Sequence, residues 1–335
     1  MTTPFPTPSS LPIDEAARLA RSVVDRVSEV VVGRTEVLEL VLSGVLANGH
    51  ILLEDMPGLG KTLTVRMIAA ACGLEMGRVQ FTPDLMPADV TGSTVWDPAE
   101  RRVEFRPGPI FTNLLLGDEI NRAPPKTQAA LLEAMQERQV TIDGQSHRLP
   151  NPFLVIATQN PIEFEGTYPL PEAQLDRFML RTAVGAPTAA DEAEMVRRRL
   201  ARRVDNPTVE PVIDLETVRR LQETVEDVLV SEPLIAYIVE LVRSTRTSAK
   251  VHSGASPRGV EAIVKLVRAR ALLAARVYAT PDDVKAVAVA ALGHRIIVRP
   301  ELWVRGTSGE EVVADSLGSV PTPSTLPPDA PPPQP

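Results

Sequence analysis

One short segment limits the fold more than any other. Ile51-Leu52-Leu53 is an apolar run of the length a buried strand needs, and it passes through Glu54-Asp55 into Met56-Pro57-Gly58-Leu59-Gly60-Lys61-Thr62. An apolar stretch through Met67, Ile68 and Ala71 follows, and Gly73 closes it. Strand, glycine loop and helix in that order form a phosphate-binding context. Glycines let backbone N–H groups approach an anion, and the helix N-terminus adds its dipole. In the Gly-Lys-Thr ending the lysine suits β- and γ-phosphate oxygens, and the threonine hydroxyl suits Mg²⁺. The strict pattern would place its first glycine at position 55, where this chain has Asp55. A carboxylate there repels a triphosphate unless it points away.

Other polar residues stand at the ends of buried runs. Leu114-Leu115-Leu116-Gly117 leads into Asp118-Glu119, 57 positions after Lys61. In phosphate-loop enzymes an acid at such a strand end orders Mg²⁺, and an adjacent acid can act as a base towards water. Asn160 follows the strand-like run Phe153–Thr158, where a carboxamide can hydrogen-bond a water or a γ-phosphate. Arg177 lies in Gln174-Leu175-Asp176-Arg177-Phe178. Arg258 lies in Gly254-Ala255-Ser256-Pro257-Arg258-Gly259, where Ser256 is placed to cap and Pro257 to open a helix. An arginine at a helix start opposes the dipole, so an anionic partner is expected there.

Around these points the chain divides into segments. Helical spacing runs from Ile13 to about Val30 and again from about Thr35 to Ala47. Ser93–Trp96 and Arg102–Phe105 form one expected hairpin. Gln139–Ile142 and Ser146–Leu149 form a second around Asp143-Gly144. Beyond Gly185-Ala186-Pro187 the character changes, and helices are expected near 190–202, 214–228, 232–247, 257–277 and 281–293. The expected division is a disordered tail over 1–12, a nucleotide-binding domain over 13–186, a helical domain over 187–317 and a Pro-rich disordered tail over 318–335. Of 32 prolines, four fall in residues 1–12 and eight in 320–335.

Composition narrows the classes that remain. The net charge is −8, with 16 Lys and Arg against 23 Asp and Glu in residues 1–186, and 19 against 20 beyond. Such a balance argues against coating nucleic acid or an anionic membrane by bulk charge. Cys72 is the single cysteine, which excludes an intramolecular disulfide framework and a cysteine-rich metal site. His50, His147, His252 and His294 have no ligand spacing. No apolar run reaches the ~18–20 residues of a membrane helix. No Lys or Arg precedes Arg18, so the charged region of a secretory signal is missing and a cytoplasmic protein is expected.

With these residues in view, the chain resembles the AAA+ ATPases, and within them closely the MoxR family. Glu54–Thr62, Gln80–Gly92, Phe105–Phe111, Leu114–Glu137, Ile156–Pro161, Gly166–Phe178 and Gly254–Gly259 carry the likeness. MoxR proteins often have an acid where Asp55 stands, and more usually an alanine at the position of Gly117. The resemblance implies an α/β fold: a P-loop AAA+ domain with a five-stranded parallel sheet and β-hairpin insertions, followed by a small all-helical lid domain. It implies a ring, a hexamer, that hydrolyses ATP between subunits and remodels, matures or activates partner complexes in a chaperone-like way.

Within that implied site, Met56, Pro57, Gly58, Leu59, Gly60, Lys61, Thr62, Leu63 and Asp118 hold ATP. Thr62 and Asp118 also hold Mg²⁺. Val32 and Gly33 lie near the adenine. Glu119 activates water, Asn160 acts as sensor 1, Arg177 is the finger reaching a neighbour's ATP, and Arg258 is sensor 2, brought to the γ-phosphate by the lid. Implied partners are a protein client and a protein with a von Willebrand factor A domain; nucleic acid and a membrane span are not expected. The same motifs would also serve a magnesium-chelatase-like or helicase-like motor subunit, or a nucleotide-gated scaffold with negligible turnover. Trp96 falls on the first hairpin, where it either faces a pore and grips a substrate or packs against the sheet edge.

Overall fold

A computed structural model describes residues 9–161 and 166–324 of the chain. Helices α1 (Ile13–Ser28) and α2 (Thr35–Leu46) precede strand β1 (Ile51–Glu54). Helix α3 (Lys61–Ala71) begins at the loop lysine and leads to β2 (Met76–Gln80). A short α4 (Pro87–Thr91) introduces the hairpin β3 (Gly92–Asp97) and β4 (Arg102–Pro107). After β5 (Leu114–Asp118) and α5 (Pro125–Glu137) comes a second hairpin, β6 (Gln139–Ile142) and β7 (Gln145–Arg148). Then follow β8 (Leu154–Gln159), α6 (Glu172–Leu175) and β9 (Leu180–Thr182). The rest is mainly helical: α7 (Ala189–Arg202), α8 (Leu215–Asp227), α9 (Glu232–Thr247), a small strand β10 (Val251–Ser253), α10 (Pro257–Leu273), α11 (Pro281–Leu292), strand β11 (Ile297–Val298), α12 (Pro300–Trp303) and α13 (Gly309–Ser319).

The main sheet has five parallel strands in the order β2-β5-β8-β1-β9. Side chains alternate across it. Leu53, Leu114, Leu116 and Ile156 enter one core with α1, α2 and α3, while Leu52, Leu115, Val155 and Ala157 enter another with α5 and the β6–β7 side. Covered on both faces, the central strands β1, β5 and β8 are apolar up to their carboxyl ends, as parallel sheets require. Gly117 interrupts the leucine run of β5. A Cβ built on it would lie 3.1 Å from the Phe81 ring, so the missing methyl is matched by an aromatic neighbour.

The helical region after residue 187 shares a core with the first helices. α10 packs against α1 and α2, and Leu266, Val267 and Leu272 join Val23, Val41 and Leu42 in one buried cluster. The tails are shorter than the composition suggests. Leu11 is buried and its N–H donates to Thr224 Oγ1 at 2.8 Å, while the Ser9 carbonyl accepts from Arg220 Nε at 3.1 Å. Residues 9–12 are thus fixed to α8, a correction to the expected disorder of 1–12. Likewise α13 runs to Ser319 and Val320 is buried, beyond the expected limit of 317. The apolar side chains among the prolines are what dock these ends. Residues 1–8 and 325–335 lie outside the described residues.

His50, just before β1, ties three elements together. Its Nε2 donates to the Met135 carbonyl of α5 at 3.0 Å, and its Nδ1 accepts the Val155 N–H of β8 at 3.0 Å. Burial, with Arg138 nearby, pushes its pKa down to about 3. Neutral His50 therefore contributes stability in full above pH 6.5, which is lost progressively as the pH falls from 6.5 towards 3. Replacing His50 with Gln should flatten the fall in denaturant midpoint between pH 6.5 and 5; an unchanged slope would remove His50 from the acid response. Leu266→Ala should cost about 2–5 kcal/mol and lower the melting of the first helices and the C-terminal helices together, because they share one core.

Candidate active site

The sheet register brings the polar strand ends together. Gln80 of β2 stands beside Asp118 of β5, and Glu54 of β1 beside Gln159 of β8. Parallel α/β sheets place ligand sites at this carboxyl edge. Asp118 is buried, and Thr158 Oγ1 donates to its Oδ1 at 2.6 Å. Thr62 Oγ1 donates to its Oδ2 at 3.2 Å, and Arg78 Nη2 reaches the same oxygen at 2.8 Å. A hydroxyl and a carboxylate converging from the helix start and the strand end fit Mg²⁺, which keeps waters and phosphate oxygens as its other ligands. Arg78 shares that corner, so a metal there would compete with its guanidinium.

Glu119 leaves the strand with a left-handed backbone, φ 58°. Its N–H donates to Thr158 Oγ1 at 3.0 Å, which holds the turn. The turn aims the carboxylate into the cavity, where Gln80 Nε2 donates to it at 2.9 Å and Arg122 Nε lies 3.1 Å away. A non-glycine residue in this region stores of order 1 kcal/mol, a strain typical of functional sites. Asn160 is buried at the next strand end, and its carbonyl accepts from Asn121 Nδ2 at 3.3 Å.

The glycine loop is open towards these groups. Gly58 and Gly60 have φ of 81° and 85°, and a Cβ built on either would meet nothing within 4 Å. The loop is therefore an open cradle of the kind that suits a phosphate chain. Lys61 Nζ donates to the Asp55 carbonyl, to the Met56 carbonyl at 3.2 Å and to the Gln159 carbonyl at 3.4 Å. Partial burial lowers its pKa, opposed by the nearby acids Asp55, Asp118, Glu119 and Glu54. The Asp55 carboxylate points away from the cradle. Its Oδ1 accepts the Met56 N–H at 2.8 Å, and its Oδ2 accepts the Gly185 N–H at 2.6 Å. The acid that breaks the strict pattern thus joins the loop to the segment leading into α7.

A cavity of about 640 Å³ contains Pro57–Leu63, Asp118, Glu119 and Asn160 in its lining. Next to it lies an apolar cavity of about 600 Å³, sharing Gly58–Gly60 and Leu63 and walled by Val31, Val32, Val184 and Met195. Val32 is on this wall. Gly33 is not: its φ is 71°, and a Cβ there would strike the Asp191 carboxylate at 2.3 Å, so it serves close packing against the start of α7. Met56 is half-exposed and takes part through its backbone.

Arg258 departs from expectation. It does not line the P-loop cavity of its own chain. Together with Arg177 it lines a separate cavity of about 310 Å³, and its Nη1 lies 3.5 Å from Asp176 Oδ2. The helix cap that orients it is as read, with Ser256 Oγ accepting the Arg258 N–H at 3.2 Å. Helix α7 approaches the P-loop instead, and its Arg198, Arg199 and Arg202 line the larger cavity with Arg66 and Arg78. Arg78 and Gln80 had a readable signal: two polar side chains at i and i+2 share one strand face. The α7 arginines had none, because which strand end a later helix covers is a tertiary matter. Trp96 is 58% exposed and is paired across the hairpin with Val103.

Fold and site together define a P-loop nucleotide-binding protein with a helical lid. Comparisons with known proteins agree. The ATPase family associated with various cellular activities (AAA) matches residues 50–180, and the AAA lid domain matches residues 243–316. The chain is 45% identical to the uncharacterized protein YeaC of Bacillus subtilis, over 91% of this chain and 95% of that protein. It is 40% identical to chaperone MoxR1 of Mycobacterium tuberculosis, over 92% of this chain and 83% of that one. A crystal structure of a candidate ATPase from Cytophaga hutchinsonii superposes with a TM-score of 0.86 at 38% identity, covering 93% of this chain and 97% of that one. The chain belongs to the MoxR family of AAA+ ATPases.

Lys61→Ala removes the ammonium held at the cradle. ATP affinity measured by calorimetry should fall about 10- to 100-fold, the worth of a charged hydrogen bond; an unchanged affinity would sink the cradle assignment.

Proposed function

We propose that the protein hydrolyses ATP between the subunits of a ring, a hexamer, and uses the resulting lid and subunit motion to remodel, mature or activate partner protein complexes. The observation that carries this reading is the separation of charges. The cavity with the cradle, Asp118, Glu119 and Asn160 contains neither Arg177 nor Arg258. Those two arginines line a second cavity of the same chain. In this reading one copy supplies the acids and the cradle, and the next copy supplies both arginines.

The chain's own residues then divide the work. Backbone N–H groups of Gly58–Thr62 and the Lys61 ammonium bind the phosphates. Val32, Leu63 and Met195 exclude water from the base. Thr62 and Asp118 would hold Mg²⁺, which when bound neutralises phosphate charge. Glu119 accepts a proton from the attacking water, released for that task when Gln80 and Arg122 let go of its carboxylate. Asn160 orients the water. Phosphoryl transfer needs charge stabilisation more than covalent chemistry, so an arginine supplied in trans is worth about 10³–10⁵ in rate. The exposed Trp96–Val103 pair suits contact with a protein client, and the family resemblance suggests a von Willebrand factor A domain protein as partner.

Two substitutions test the reading. Glu119→Gln should keep ATP binding and lose turnover by about 10²–10⁴. Arg177→Ala assemblies should be equally inactive, and mixing them with Glu119→Gln subunits should restore turnover. Each variant lacks what the other supplies. No restored turnover in confirmed mixed assemblies would rule out action in trans.

A further inference from the structure

Asp176 immediately precedes Arg177, and its carboxylate is where the finger loop meets the lid. Arg295 Nε donates to Asp176 Oδ1 at 2.8 Å. Ser256 Oγ lies 3.2 and 3.0 Å from the two carboxylate oxygens, and Arg258 Nη1 lies 3.5 Å from Oδ2. Arg295 does more than pair with this acid. Its Nη2 donates to the carbonyls of Asp176 at 3.2 Å and Phe178 at 2.8 Å, and its Nη1 to Met179 at 3.2 Å and to Ala291. The neighbouring His294 Nε2 also donates to the Phe178 carbonyl, at 3.0 Å. Two consecutive lid residues therefore hold the backbone on both sides of Arg177. Among the described residues, the Arg177 side chain itself makes a 3.3 Å contact with Gln136 Oε1 at the surface.

The Arg295 side chain is only 3% exposed. A buried guanidinium is costly even when paired, and well-packed apolar residues often replace such pairs without loss of stability. What an apolar replacement could not do is fix carbonyls at residues 176, 178 and 179 together. By contrast, the Arg258 side chain is half-exposed and its 3.5 Å contact with Asp176 is of the weak, releasable kind.

We infer that Asp176 and Arg295 are positioning residues for the arginine pair Arg177 and Arg258. Arg295 locks the finger loop to the lid, and Asp176 holds Arg258 beside Arg177 until an anion competes for it. Lid displacement then moves the finger. The inference rests on the reading that these arginines act on a neighbouring subunit's nucleotide.

The test places the substitutions on the donor of the finger alone. Arg177→Ala subunits, which keep their own acids and cradle, are mixed with Glu119→Gln subunits, which contribute no turnover but carry an intact finger. The donor is then replaced by Glu119→Gln/Asp176→Asn or Glu119→Gln/Arg295→Lys. Both double variants should bind ATP and co-assemble as the single Glu119→Gln donor does, while restored turnover falls about 10- to 100-fold, the cost of an ångström-scale misplacement. Full restoration by either double variant overturns the inference and leaves the trans reading standing. Loss of ATP affinity or of assembly along with turnover assigns the residues to folding alone and also overturns it. No restoration by the single Glu119→Gln donor overturns the trans reading and the inference with it.

Discussion

The site depends on parallel in-register pairing of β1, β5 and β8. Each of these strands contributes a polar residue only at or just past its carboxyl end, and hydrogen bonding fixes those ends at one level. Thr158 shows what the register makes possible. Its hydroxyl donates to Asp118 and accepts the Glu119 N–H, so one buried β8 side chain holds the Asp118 carboxylate and the turn at Glu119. Slippage by one residue would turn every apolar side chain to the other face and take Thr158 from the acids. The leucines of β5 and the site chemistry are therefore fixed by the same ladder.

Around that ladder the loop and lid are joined by polar contacts. Asp55 accepts the Gly185 N–H, and Glu54 pairs with Arg181 at 2.8 Å, which reaches Glu310 of α13 at 3.3 Å. Residues flanking the cradle on the amino side thus touch the segment before α7 directly and reach α13 through Arg181. Combined with the core shared by α1, α2 and α10, this gives the helical region a defined seat on the sheet.

The local elements and the polar strand ends are legible in the sequence because both are written in short-range patterns. The Gly-Lys-Thr ending, the leucine run before Asp118 and the Asp143-Gly144 turn each declare themselves within ten residues. Arg258 was legible as a capped helix start with an anionic partner, but its partner is Asp176 across the fold, and which cavity it faces is set by how α10 packs on α1 and α2. Arg295 carried no local mark at all: its significance lies in carbonyls more than a hundred positions away. At residues 9–12 proline content masks Leu11, whose burial against α8 depends on long-range packing.

Asp55 illustrates how a departure from a pattern can be accommodated. The position tolerates a carboxylate because two backbone N–H groups, Met56 and Gly185, satisfy it on the side away from the cradle. Its charge still acts through space and helps keep the Lys61 ammonium protonated against partial burial. The acid thereby supports the cation that stands at the cradle. An apolar residue at 55 would remove that support and, in addition, leave the Gly185 N–H without its acceptor at the point where the sheet hands over to α7. The broken glycine in the motif is better understood as a joint between cradle and lid than as a weakened phosphate site.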